Sequence, residues 1–267
     1  LFAACGESPP PAPADQETGE TPPATVAAVE PAPGAAEPAA VEPDTAQPAP
    51  AEPPEQAPDV RPPRVELAQS DAAEAALAAA GYRNGVHYLR LSPTQPTSSG
   101  PDQVEVAEFF AYSCIHCYNL EPYLQQWLTT KPDYINFVRV SVVWNDLVRL
   151  HSRAFYAAAV LGKTEEIHTP FFREIHVNGN PLQSEADLAT FFARFNVDAA
   201  AFKAAFASFT VHTNLQRADE LTRRYRVDGT PTIVVNGKYV TGASRAGGHE
   251  QLIKLIDALA ASERSPN

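Results

Sequence analysis

The sequence has no methionine, only three cysteines among its 267 residues, and a shortage of basic side chains, with 20 Lys and Arg against 32 Asp and Glu for a formal net charge of −12. Without a methionine, the initiator is expected upstream of Leu1. The shortage of cations leaves nothing to neutralise a phosphate backbone, which excludes nucleic acid as a partner. No run of about 18 apolar residues occurs, so no segment reads as a membrane-spanning helix. Three thiols, one of them far from the other two, are too few for a four-ligand zinc centre built on cysteine pairs.

Aromatic residues are almost missing from the first quarter, where Phe2 stands alone, while about 17 of the 26 prolines lie at or before Pro63. About 11 acidic residues face only Arg61 and Arg64 there, leaving about −3 of the net charge to the rest. Such a segment cannot build a core. Proline fixes φ and removes donors and the carboxylates repel one another, so residues 6–64 are expected to form a disordered Pro/Ala/Glu-rich tether. The opening Leu1-Phe2-Ala3-Ala4-Cys5-Gly6 resembles the end of a bacterial lipobox, with Phe2 where leucine is commoner. The resemblance implies an exported, membrane-anchored chain acylated on Cys5. An ordinary signal with an incidental cysteine is the alternative.

Residues 65–267 hold nearly all the aromatics, enough for one well-buried domain. The pattern predicts a short alanine-rich helix over Asp71–Ala80, capped by Ser70 and stopped at Gly81, then a strand over Val86–Leu91. A second strand over Gln103–Ala111 places Val104, Val106, Glu108 and Phe110 on one face, setting a carboxylate among apolar neighbours. A helix from Cys114 to about Thr129 carries Tyr118, Tyr123, Leu124, Trp127 and Leu128 as its apolar stripe, with Pro122 inside it. A third strand, Ile135–Val143, reads as buried on both faces. Residues 145–228 show only helical periodicity, in pieces at Ser152–Leu161, Glu165–His176, Ser184–Phe195, Ala199–Phe209 and Leu215–Tyr225. This is longer than a crossover needs, and its phenylalanines read as the core of an inserted helical subdomain. Thr232–Val235, an Asn236-Gly237 turn and Lys238–Thr241 form a hairpin, followed by an amphipathic helix with Leu252, Ile253, Ile256 and Leu259.

Cys114-Ile115-His116-Cys117 is the constellation that carries chemistry. Two cysteines at this spacing can close a disulfide across the first turn of a helix, whose free amides and positive potential favour a thiolate at Cys114. Cys114 is then the exposed nucleophile and Cys117 the resolving thiol, with His116 placed to stabilise the thiolate further. Stabilising the thiolate stabilises the reduced form and makes the disulfide a stronger oxidant. A purely structural disulfide is disfavoured, because so small a loop hardly constrains the unfolded chain. His151, His168, His176 and His212 are too scattered to nominate as ligands and are expected at the surface or its boundary. Arg223, Arg224 and Arg226 are expected at an exposed helix end.

A strand with Phe109-Phe110-Ala111-Tyr112-Ser113, the Cys114–Cys117 motif, a kinked helix, and far downstream Gly229-Thr230-Pro231 before a strand together resemble the DsbA family over roughly residues 82–262. The resemblance implies an α/β, thioredoxin-like fold with an inserted all-helical subdomain at about 145–228. It makes residues 65–267 the catalytic domain and residues 1–64 signal end and linker. It implies a cis-proline at Pro231 that leaves the Thr230 backbone free to pair with an extended peptide, with an ordinary strand-initiating proline as the alternative. It places at Glu108 the buried acid that shuttles the Cys117 proton, at Arg139 its basic partner, and at Glu121 a further acid that is otherwise a solvated face residue. Ile115 stands where many relatives have proline, beside the substrate.

The function implied is periplasmic thiol:disulfide exchange without a cofactor, donating the Cys114–Cys117 disulfide to reduced exported polypeptides. A DsbB-like quinone-linked membrane oxidase would restore it, and a monomer is expected. A reductase or isomerase on the same fold, or a redox-inactive peptide-binding scaffold, are the competing readings.

Overall fold

Seven consecutive residues, Val104–Phe110 (β2), are all buried, and the sheet order explains why. The computed structural model describes residues 64–264; Cys5 and the proline-rich segment lie outside the described residues. Among these, α1 (Arg64–Ala79) is followed by β1 (Leu89–Arg90), then β2, α2 (Ile115–Leu128) and β3 (Ile135–Ser141). Five helices follow: α3 (Asp146–Val160), α4 (Thr164–His176), α5 (Glu185–Ala193), α6 (Ala199–Phe206) and α7 (Phe209–Arg224). β4 (Thr232–Val235), β5 (Tyr239–Thr241), the short α8 (Ala243–Ala246) and α9 (His249–Glu263) complete the fold.

The strands run β1-β5-β4-β2-β3. β2 therefore sits between β3, parallel with Val104 opposite Ile135 and Glu108 opposite Arg139, and β4, antiparallel with Phe109 opposite Thr232. A strand so placed and covered on both faces is mostly apolar, and its two buried carboxylates have partners: Glu105 accepts from the Ser98 amide and hydroxyl, and Glu108 lies beside Arg139. Val104, Val106, Ile233 and Val235 pack with Leu120, Leu124 and Trp127 of α2 and Leu252, Leu255, Ile256 and Leu259 of α9. Ala107, Phe109 and Val234 meet the helical layer of α3 to α7 on the other face. By alternation Glu108 lies on the α2 side.

The helices between β3 and β4 form the predicted layer around phenylalanines. Phe171, Phe172, Phe191, Phe192 and Phe202 are fully buried, and Phe110 meets Phe155 edge-on at 5.1 Å. Local caps set the helix starts: Asn145, Asp198 and Ser208 each accept a backbone N–H with the side chain, and Ser184 forms a capping box with Asp187. At the hairpin, Asn236 and Gly237 both take positive φ, 51° and 61°. Gly237 is required for space too, because a Cβ there would lie 2.0 Å from the Gln95 carbonyl oxygen.

Several expectations are corrected. α1 starts at Arg64, with Ser70 inside it, because an alanine-rich run needs no cap to continue. The strand expected over Val86–Leu91 shrinks to two residues, since Gly85 donates to the Tyr88 carbonyl and Arg83 to His87 Nδ1, turning the chain. β3 is an edge strand, partly exposed along its middle rather than buried on both faces. The buried stripe of α2 is Cys117, Leu120, Glu121, Leu124 and Trp127, so Tyr118, Tyr123 and Leu128 lie at its margin. Phe209 is the first residue of α7 and 81% exposed, not a core residue.

Candidate active site

β2 ends at Phe110, the chain turns through Tyr112 and Ser113, and Cys114 becomes the N-cap of α2 with φ −87° and ψ 114°. Its carbonyl accepts from the amides of Cys117 and Tyr118, both at 3.1 Å. Cys114 is half-buried, Cys117 is buried, and both are free thiols. Cys114 Sγ donates to the Thr230 carbonyl at 3.3 Å, which brings the loop before β4 against the motif, and the Thr230-Pro231 peptide is cis.

The two thiols are electrostatically unlike. A hydrogen bond from Cys117 is the largest of several donors that hold the Cys114 thiol down at about 5, against the half-burial that raises it; the others include the Thr230 side chain and the backbone amides of Cys117 and His116. Burial, then the adjoining Cys114 and Glu108, push Cys117 far above the ordinary thiol range. His116 thus contributes to the thiolate through its backbone. Its exposed ring lines a groove with Thr230, Pro231, Arg226, Arg245 and His249, and Ile115 beside it is 46% exposed.

Beneath Cys117 lies a buried charge cluster. Arg139 Nε is 3.3 Å from Glu108 Oε2 and its Nη2 3.4 Å from Glu121 Oε1. The two acids differ in their donors. Glu121 accepts from Gln125 Nε2 at 2.6 Å, Thr169 Oγ1 at 3.2 Å and Arg139 Nη2, while neither oxygen of Glu108 has an aligned donor. Burial therefore raises Glu108 to about 7 in spite of Arg139. At Glu121 burial also pushes upward, but contacts to His168, Arg139 and Gln125 outweigh it and hold the carboxyl at about 2. Burial lowers His168 from its ordinary value, and its Nε2, 3.4 Å from Glu121 Oε2, makes no aligned hydrogen bond there. Two neighbouring carboxyls whose environments separate them in this way divide into a fixed anion and a proton carrier.

The expected site residues Cys114, His116, Thr230 and Pro231 thus come together at the surface over the buried Cys117, with Glu108, Glu121 and Arg139 below. Glu121 is 2% exposed and not a solvated face residue. The histidine expectation fails for two of the four: His151 and His168 are each 1% exposed. His151 donates to the Pro181 carbonyl at 3.0 Å, and His168 Nε2 lies 3.4 Å from Glu121 Oε2. His176 donates to the Tyr112 carbonyl at 2.8 Å and stacks on Tyr118, at the boundary as expected. His212, Arg223, Arg224 and Arg226 are exposed. Among the described residues no group of three or more His, Cys, Asp and Glu is placed to hold a metal.

Residues 135–254 match the model of the DSBA-like thioredoxin domain. The thiol:disulfide interchange protein DsbA of Azotobacter vinelandii is 34% identical over 190 residues, 71% of this chain and 88% of that protein. The chain belongs to the DsbA family. The protein of the same name from Burkholderia cepacia is 35% identical over 193 residues, 72% of this chain and 88% of that one. The crystal structure of Pseudomonas aeruginosa DsbA superposes with a TM-score of 0.66 at 34% identity, covering 70% of this chain and 96% of that one. The oxidoreductase NmDsbA1 from Neisseria meningitidis gives 0.61 at 28% identity, covering 69% and 95%. The thioredoxin-like fold with a helical insertion is thus that of DsbA. His168 and the burial of Glu121 are what sequence reasoning missed, and helical spacing held the signal for both: Glu121 follows Cys117 by four residues, and His168 precedes Phe171 and Phe172 by three and four.

Proposed function

We propose that this DsbA-family chain works as a disulfide donor, with the Cys114–Cys117 pair as its redox centre. Thiol:disulfide exchange is the activity of the family, and the unequal thiols carry the direction assigned to this member. A thiolate stabilised at Cys114 favours the reduced form and makes the disulfide oxidising, a relation for which DsbA is itself the standing example.

A substrate thiolate attacks Cys114 Sγ, the Cys114–Cys117 bond breaks, and its electron pair goes to Cys117, which takes the Glu108 proton. The second substrate thiolate attacks the substrate sulfur of the mixed disulfide and expels Cys114 as thiolate. The substrate leaves oxidised by two electrons and the enzyme holds them. In reoxidation Glu108 takes the Cys117 proton back. Arg139 offsets the charge of Glu108 when it is ionised. The exposed Ile115 and the backbone beside cis-Pro231 are the surface for an extended substrate segment.

Residues 65–267 form the catalytic domain in this reading, acting as a monomer in the periplasm on reduced exported polypeptides and recharged by a DsbB-like quinone-linked oxidase. Residues 1–64 tether it, through acylated Cys5, to a membrane; unchanged oxidation of cellular substrates after deletion of residues 8–60 would show the tether to be dispensable. The deciding measurement is the reduction potential of the pair, obtained by equilibrating the full chain with glutathione buffers and following Trp fluorescence. A value more oxidising than that of protein disulfide isomerase is expected; a thioredoxin-like value would make the chain a reductase.

A further inference from the structure

The groove that starts at the redox centre carries unpaired cations, on a chain whose net charge is −12. It encloses about 630 Å³ between the Thr230-Pro231 loop, β5, α8 and the start of α9. Cys114 Sγ meets the Thr230 carbonyl at 3.3 Å, so a substrate cysteine joined to Cys114 sits at the groove's entrance. An extended chain advances about 3.3 Å per residue, and the four residues beside that cysteine span about 13 Å.

Arg226 and Arg245 line the groove and are exposed, and among the described residues Asp228 is its one lining carboxylate. Just upstream, Arg223 and Arg224 are paired with Asp219 and Glu220 one turn back on α7. Among the described residues Arg226 and Arg245 have no ion pair and no side-chain hydrogen bond, so their charge is open to whatever enters the groove. Arginine is also an unusual choice where Arg226 stands. The Arg226 amide donates to the Arg223 carbonyl at 3.1 Å and the Val227 amide to the Thr222 carbonyl at 2.9 Å, the two bonds that close a helix on a left-handed residue. Arg226 has φ 53°, which glycine would adopt without strain. The groove thus keeps a cation at a position whose backbone favours glycine.

We propose that Arg226 and Arg245 determine substrate preference: the groove takes the segment beside a reduced cysteine and favours segments with Asp or Glu within about four residues of it. A carboxylate matches the planar guanidinium fork, which keeps its charge in proteins. The effect falls on the rate at which a substrate is captured as the mixed disulfide with Cys114. The inference deepens the disulfide-donor reading and rests on it.

The test is reduction of the oxidised full chain carrying Cys5→Ser by single-cysteine peptides with blocked ends, followed at neutral pH by stopped-flow Trp fluorescence. Asp, Asn or Lys fills the second to fourth positions on one side of the peptide cysteine, then on the other. Flanking charge alters the peptide thiol itself, but equally for wild type and variant, so the readout is the Asp-to-Asn ratio of second-order rate constants compared between the two proteins. In Arg226→Gly/Arg245→Gln that ratio is expected to fall about fivefold for one of the two sides at low salt, and the fall should shrink at 0.5 M salt, a concentration of about three times the physiological ionic strength. The urea midpoint should not drop, because glycine accepts the left-handed backbone at position 226. Arg245→Glu, on the exposed surface of α8, should shift preference toward the Lys peptide and serves alone if the double variant does not fold. Peptides that reduce wild type and a folded variant with the same Asp-to-Asn ratio on both sides overturn the selectivity and leave the donor reading standing. A chain whose disulfide no peptide reduces overturns the donor reading and the proposal with it.

Discussion

Replacing Glu108 by glutamine should stabilise the reduced protein in alkali and leave it nearly unchanged in acid. Burial, opposed by Arg139, raises the Glu108 carboxyl from an ordinary 4.5 to about 7, and its side chain is 1% exposed. Between those values the folded protein keeps a proton that the unfolded chain releases, so stability falls as pH rises from 4.5 through 7 and is flat on either side. At 1.36 kcal/mol per unit, the full cost above pH 7 is about 3 kcal/mol. Glutamine has no charge to desolvate. Cys114 acts with the opposite sign: its lowered value makes the reduced protein gain stability as pH rises from about 5 toward the ordinary 9. That contribution is common to both proteins and cancels in their difference. Urea unfolding of reduced wild type and Glu108→Gln between pH 4 and pH 9 should therefore show a gap that opens across the window from 4.5 to 7 and then stays level. A gap constant over the whole range would mean that Glu108 titrates at the same value in the folded and unfolded chain, and it would then hold no proton at neutral pH for the relay to pass.

The thiols should separate in alkylation of the reduced chain: Cys114 reacts with iodoacetamide along a titration centred near 5, where its donors hold it, while buried Cys117 stays unmodified through neutral pH. A Cys114 midpoint at the ordinary thiol value would remove the basis for disulfide donation. Gly237→Ala should cost roughly 2 kcal/mol or more, since it meets the Gln95 carbonyl and a φ of 61°, whereas Gly100→Ala, facing open space, should change stability by about 0.5 kcal/mol or less. Equal urea midpoints for the two variants would contradict the close approach at the hairpin.

What the sequence made legible follows from how local each feature is. The Cys114 N-cap and the Asn236-Gly237 turn are set by a few adjacent residues, and both stand where the pattern places them. The early starts of α3 and α7 were also encoded locally, in the caps Asn145 and Ser208, but apolar periodicity alone placed those helices several residues late. β3 shows the other limit. Its apolar run suits a central strand, yet only strand order makes it an edge, and its position opposite Glu108 goes to Arg139. Glu121 and His168 fall between these cases. Each interrupts an apolar stripe, Glu121 in line with Cys117 and Leu124, His168 in line with Phe171 and Phe172. A polar side chain at such a position is expensive to bury unless something answers it. Spacing is therefore enough to nominate both residues, but Glu121 is answered by Arg139 of β3 and His168 by Tyr112 just after β2, and only the packing of the helical insertion against α2 brings them together.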